Sequence, residues 1–154
     1  MWRELLILAK MLFTKVEPNL KALPIVKMKH FPFSGYSAMQ WCGHIIDRED
    51  DNVEISKEIM YHEMIHYKQA CTLGSWVKYY LVYLWEYLKF GYITWACYYC
   101  HPMEIEAHLN DGNPDYQTYR GKYKKYKMKH IRRVFREHYP QWKEVFREYF
   151  KDIN

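Results

Sequence analysis

The stretch "YHEMIHYKQ", residues 61–69, constrains this chain more than any other. His62 and His66 are four residues apart, and only a helix brings positions i and i+4 onto one face. If the two imidazoles are to act together, three further demands follow: a helix beneath them, a third partner from a distant segment, and a wall that excludes water. The first demand is met locally. Ser56 stands where a helix cap is needed, Ile59, Met60, Met64, Ile65 and Tyr67 supply apolar positions, and Gly74 is a natural stop. The spacing predicts a helix of about four turns.

Paired imidazoles on one face suit zinc. A catalytic zinc site takes three protein ligands and keeps a fourth position for water. Glu63 lies about 100° round the helix from His62, within reach of that water, where it can take a proton and pass it to a leaving amine. "MEIEAH", residues 103–108, offers the third ligand. Pro102 is placed to open a helix at its first position. On it Glu104 and Glu106 diverge by about 200°, so only one of them can face the metal. His108, one turn beyond Glu104, is placed to support a ligand from behind, as are Glu106 and Gln69.

"HEMIH" followed by "MEIEAH" resembles the gluzincin class of zinc metallopeptidases, in which HExxH is followed by a glutamate helix of the form E-x-E-A-D or E-x-x-x-D. The resemblance implies that His62, His66 and Glu104 bind Zn²⁺ and that Glu63 is catalytic. The Asp of that pattern falls at His108, a departure that bears on how the first histidine is oriented. "PFSGYSAMQ", "HEMIHYKQ" and "MEIEAHLN" together resemble a group of small, uncharacterised bacterial HExxHxxQ proteins, over about half of the chain. The class also implies an edge strand before the active helix that pairs with extended substrate, which fits "SAMQWCGHII". A transition-state donor is not singled out; His101, Tyr98, Tyr99 and Tyr116 are the candidates.

Elsewhere, residues 2–14 read as an amphipathic helix ending before Pro18. Between Ile25 and Arg48, β-branched and aromatic residues punctuated by Pro32, Gly35 and Gly43 predict two or three short strands, one of them in a hairpin. Residues 75–100 are apolar nearly all round and read as a buried helix or helix pair, with a membrane hairpin as the competing reading. Asn113–Pro114 predicts the start of another helix, and the remainder reads as two amphipathic helices split at Pro140. The fold class expected is α+β, mostly α: a single domain over 1–154 with a minimal zincin-like core at 32–112, in which a short sheet precedes the active-site helix and a glutamate helix closes the site, followed by a basic helical arm at 115–154. The 16 Tyr and 6 Trp in 154 residues point to a core with wet edges or a broad groove.

Nine Lys/Arg and no acid lie between Arg120 and Arg136; taken from the total of 23, they leave 14 bases against 18 acids. The arm interleaves Tyr with cations, so an anionic membrane surface or nucleic acid is an expected partner beside the bland reading of a solvated helix face. "CYYCH", residues 97–101, matches a haem-attachment pattern, but packing explains Cys97 and Cys100 more simply. The first residues make a poor signal peptide, and the four cysteines are expected to be free thiols. The expected location is cytoplasmic, with membrane association as a variant. The function expected is hydrolysis of peptide bonds in peptides or proteins by a zinc-activated water. The alternatives are a non-catalytic zinc-binding or structural protein, and a basic helical module in which HExxH is coincidental.

Overall fold

A computed structural model describes residues 1–32, 36, 38–49, 54–89, 98–126, 144, 147 and 148. The architecture is α+β and mostly helical, as expected. Helix α1 (Trp2–Met11) is followed by strands β1 (Ile25–Met28), β2 (Ala38–Trp41) and β3 (His44–Arg48). Then come helices α2 (Lys57–Leu73), α3 (Trp76–Leu88) and α4 (Pro102–Asn110), and a short 3-10 helix at Lys122–Tyr126.

The sheet has the order β1-β3-β2, with β1 parallel and β2 antiparallel to the central β3. Alternation along β3 splits the interior into two cores. Ile45 faces Trp76, Tyr79 and Met103, while Ile46 faces Leu8, Met28 and Phe31. β2 and β3 form the expected hairpin, closed by Cys42 and Gly43, both with left-handed φ of 49° and 81°. Two successive left-handed residues twist a tight turn in the sense that strands require. A β-carbon at Gly43 would come into van der Waals contact with the Trp76 ring, at 3.4 Å, so it is the left-handed φ that favours glycine there.

Local signals set both ends of α2. Ser56 Oγ accepts from Ile59 N–H at 3.2 Å, and Gly74, at φ 74°, turns the chain away. Ser75 then caps α3 at once, its Oγ accepting from Lys78 N–H at 3.4 Å. Pro102 opens α4 as expected, with His101 as its N-cap.

Two expectations fail. Helix α3 is not buried all round. Trp76, Tyr79 and Glu86 face inward, whereas Val77, Leu81, Leu84, Trp85 and Leu88 form an exposed apolar stripe. Spacing fixed the inner face, but the outer face lacks the polar residues that usually mark a solvent side. Among the described residues, no helix is long and apolar enough to cross a membrane. Second, no α-helix starts at Asn113–Pro114. Asn113 Oδ1 accepts from Asp115 N–H at 3.0 Å, a local turn that competes with helix. The chain continues through turns to the 3-10 helix, where Tyr123 and Tyr126 are buried. These two belong to the core rather than to an exposed aromatic stripe. The strand-to-helix turn at residues 50–53, the second half of the aromatic segment at 90–97, Cys97, and most of the basic arm with its split at Pro140 lie outside the described residues. The described cysteines, Cys42, Cys71 and Cys100, are free thiols.

Gly74→Ala tests the stop. A β-carbon there meets no atom within 4 Å, so the cost is backbone strain alone. We expect a loss of about 1–2 kcal/mol and a fall in Tm of roughly 2–4 °C per kcal/mol, read by thermal denaturation. An unchanged Tm would mean that the left-handed stop is not stabilising.

Candidate metal centre

Helices α2 and α4 pack together with their carboxylate and imidazole faces inward. His62, Glu63, His66, Gln69, Glu104 and Glu106 are all buried. His62 and His66 do lie on one face of α2, their Nε2 atoms 3.1 Å apart. Glu104 reaches both from α4: its Oε1 is 3.2 Å from His66 Nε2 and its Oε2 is 3.3 Å from His62 Nε2. Oε2 has no hydrogen-bond partner of proper geometry despite its burial.

These distances fit a metal. Ligands at ~2.0–2.1 Å from a tetrahedral zinc stand roughly 3.3–3.4 Å apart, close to the 3.1 Å between the two imidazoles and to the 3.2 and 3.3 Å from each imidazole to its own oxygen of Glu104. Two nitrogens and one carboxylate oxygen also match the donor preference of zinc. One ligand atom from each of the three residues lies within 4.8 Å of the other two.

Glu106 turns the other way, as its spacing from Glu104 demands. Its carboxylate accepts from Gln69 Nε2 (3.0 Å), Tyr116 OH (3.0 Å) and Thr118 Oγ1 (2.5 Å). Because a carboxylate only accepts, Gln69 must show it the amide nitrogen. The amide oxygen of Gln69 then faces His66 Nδ1 at 2.9 Å. Nδ1 must therefore donate, and the lone pair of a neutral His66 sits on Nε2, pointing into the centre. The sequence HxxQ…ExE thus encodes one connected support.

The ring of His108 lies against that of His62, one of the candidate ligands, centroids 4.4 Å apart, and its Nδ1 is 3.8 Å from Asp111 Oδ2. Tyr83 was not foreseen. Its hydroxyl donates to Glu104 Oε1 at 2.5 Å. Tyr79, Tyr83 and Tyr87 recur every four residues along α3, and that spacing was the available signal.

A cavity of about 310 Å³ adjoins the three candidate ligands, walled by β2 on one side and the α3 tyrosines on the other. Of the candidate transition-state donors, only Tyr98 lines it. His101 is fully buried, its Nδ1 accepting from Met103 N–H and its Nε2 3.0 Å from Tyr83 O. Tyr116 is committed to Glu106, and Tyr99 is not among the lining residues. Glu63 also borders the cavity, its Oε2 accepting from the backbone N–H of Gln40 at 2.5 Å.

The charges are interlocked. Burial depresses the basicity of His66, but the Glu104 carboxylate outweighs this and holds its pKa at about 9. Burial brings His62 down to about 4 against the pull of Glu104, with the His66 and His108 charges adding to the drop. Burial pushes Glu104 up, yet the facing histidines hold it well below the usual carboxylate range. Glu63 is raised to about 7 by burial, with His66 opposing and Glu104 adding.

Compared with family models, with curated proteins and with solved structures, the chain gives no match. The site therefore rests on its own geometry.

Metal uptake and protons must be linked. Below pH 9 the metal-free His66 is protonated, and a ligand must be deprotonated to bind. Zinc uptake at pH 7.5 is expected to release about one proton from His66. The apparent affinity should rise up to about tenfold per pH unit and level off above about 9. Titration calorimetry in buffers of different ionisation enthalpy reads this; uptake without proton release would contradict the assignment.

Proposed function

We propose that this chain is a zinc-dependent peptidase in which His62, His66 and Glu104 hold the metal and Glu63 is the general base. The observation that carries this reading is the pair of imidazole nitrogens facing the Glu104 carboxylate at distances close to tetrahedral zinc spacing, with a second buried carboxylate on the same cavity. A divalent ion bound there supplies Lewis acidity to a carbonyl and lowers the pKa of a water.

The rest is the work of the chain. Glu63 adjoins a ligand without being one, so its carboxylate is available to take a proton and return it to the departing amine. A pKa near 7 suits both halves of that task. β2 supports the binding of an extended substrate. Trp41 and His44 flank a two-residue turn and so form a hydrogen-bonded pair. By alternation, the backbone groups of Ala38 and Gln40 point away from β3. Gln40 N–H is the group that meets Glu63, which places the proposed base on the strand edge where a peptide would lie.

A non-catalytic zinc site is the second reading. The contact between Glu63 and Gln40 favours it, because a carboxylate held by a backbone N–H is a weaker base.

Glu63→Gln separates the two. The amide is isosteric and Glu63 is not a proposed ligand, so one zinc per chain should remain by elemental analysis. Hydrolysis of a peptide substrate should fall by about 10²–10⁴. Undiminished turnover in the variant would remove Glu63 from the mechanism. Zinc without turnover in the unaltered protein would select the second reading.

A further inference from the structure

Helix α4 presents Glu104 and His108 one turn apart, opposite His62 and His66 on α2. The inner end of this arrangement is the centre already described. At the outer end, His62, His108 and Asp111 bring a second set of ligand atoms within 4.8 Å of one another. The His108 ring contacts the His62 ring, and Asp111, the residue that ends α4, stands behind His108 at 3.8 Å. Side-chain exposure is 4% at Glu104, 6% at His66, 9% at His62, 17% at His108 and 5% at Asp111. His108 is therefore the solvent-side member of the outer set, with Asp111 as buried behind it as the inner ligands are.

We propose that His62, His108 and Asp111 form a second, outer seat for a divalent transition cation such as Zn²⁺ or Co²⁺, through which the inner seat is loaded. The proposal rests on the inner metal centre, since a loading seat needs somewhere to deliver. Both seats offer two imidazoles and one carboxylate, a donor set that takes zinc and cobalt and is too nitrogen-rich for magnesium or calcium. His62 belongs to both. A neutral imidazole carries one bare nitrogen, so His62 serves one seat at a time and the chain holds one ion, not two. The outer spacing is looser than the 3.1–3.3 Å edges inside, so the outer seat is the weaker. An ion arriving on the His108 side meets that imidazole first and then Asp111 behind it. Exchange of these two for His66 and Glu104, with His62 as the common ligand, carries it inward without full release. His108 stands where the glutamate-helix pattern of zinc peptidases has an aspartate, so the outer seat depends on this departure.

The test uses the metal-free full-length chain and Co²⁺, followed by visible absorption and calorimetry. The unaltered protein should bind one Co²⁺. His66→Gln and, separately, Glu104→Gln disable the inner seat. Each should keep one Co²⁺ site at least tenfold weaker, and adding His108→Asn should abolish it. His108→Asn alone should keep the stoichiometry of one and slow uptake severalfold in stopped-flow mixing. Circular dichroism checks that each variant is folded, and the two inner variants guard against one that is not. If neither inner variant shows a His108-dependent site while the unaltered protein binds one ion, the outer seat is overturned and the inner centre stands. If the unaltered protein binds no Co²⁺ and no Zn²⁺, the inner centre falls and the outer seat with it.

Discussion

Glu106 is completely buried and accepts from three donors on two segments: Gln69 on α2, and Tyr116 and Thr118 on the segment after α4. A carboxylate in a dry interior is tolerated only when its oxygens are satisfied, and leaving one bare costs several kcal/mol. That demand organises what surrounds it. Residues 113–121 cannot continue as helix, because Tyr116 and Thr118 must both turn back to the same oxygen. Gln69 cannot flip, because its nitrogen is claimed, and Met103 O claims it too at 3.1 Å. The fixed amide orients His66, and His66 sets where the ligand atoms meet. Glu106 is not a proposed ligand, yet the orientation of His66 depends on it through Gln69.

The inner centre then poses an electrostatic problem that the metal-free chain solves with a proton. Glu104 faces two imidazoles in a buried site, where charge interactions are several times stronger than at the surface. A neutral His pair would leave the carboxylate unbalanced, so His66 holds its proton to unusually high pH. Tyr83 takes up part of the remaining demand through Glu104 Oε1. A divalent ion held there, as proposed, would take the place of that proton and give a partner to Oε2, the atom left without a good one.

Legibility from sequence divides along the range of the interactions. The caps of α2 and α4 were readable because Ser56, Gly74 and Pro102 act on their own backbone. The pairing of His62 with His66 followed from helical spacing, and so did the opposed directions of Glu104 and Glu106. Spacing could not say why Glu106 is buried, since its donors Tyr116 and Thr118 are not on its helix, and the helix expected at Asn113–Pro114 was lost for the same reason. The exposed outer stripe of α3 was misread as core, because apolar residues on every side give no clue to which side is solvent. His108 was expected beside a ligand, and its ring lies against His62; which ligand it would meet was not readable from spacing on its own helix.

The tyrosines explain how a chain so rich in polar aromatics can still build a dry wall. Each phenol has an apolar ring and one polar tip, and burial without a partner for the tip is costly. Tyr80 accepts from Cys42 N–H at 3.1 Å, Tyr83 donates to Glu104, and Tyr67 reaches the carbonyl of Glu17. With their tips tied to the scaffold, Tyr80 and Tyr83 turn their rings to the cavity and keep their protons, their pKa values raised well above normal by burial. Trp41 stacks on Tyr80 at 4.4 Å and anchors its indole N–H on Leu8 O at 2.9 Å, which ties α1 to this wall. Phenylalanine in these places would give equal apolar area but leave Cys42 N–H and Glu104 short of partners. The abundance of Tyr over Phe is thus a consequence of placing a polar centre beside a wall that must exclude water.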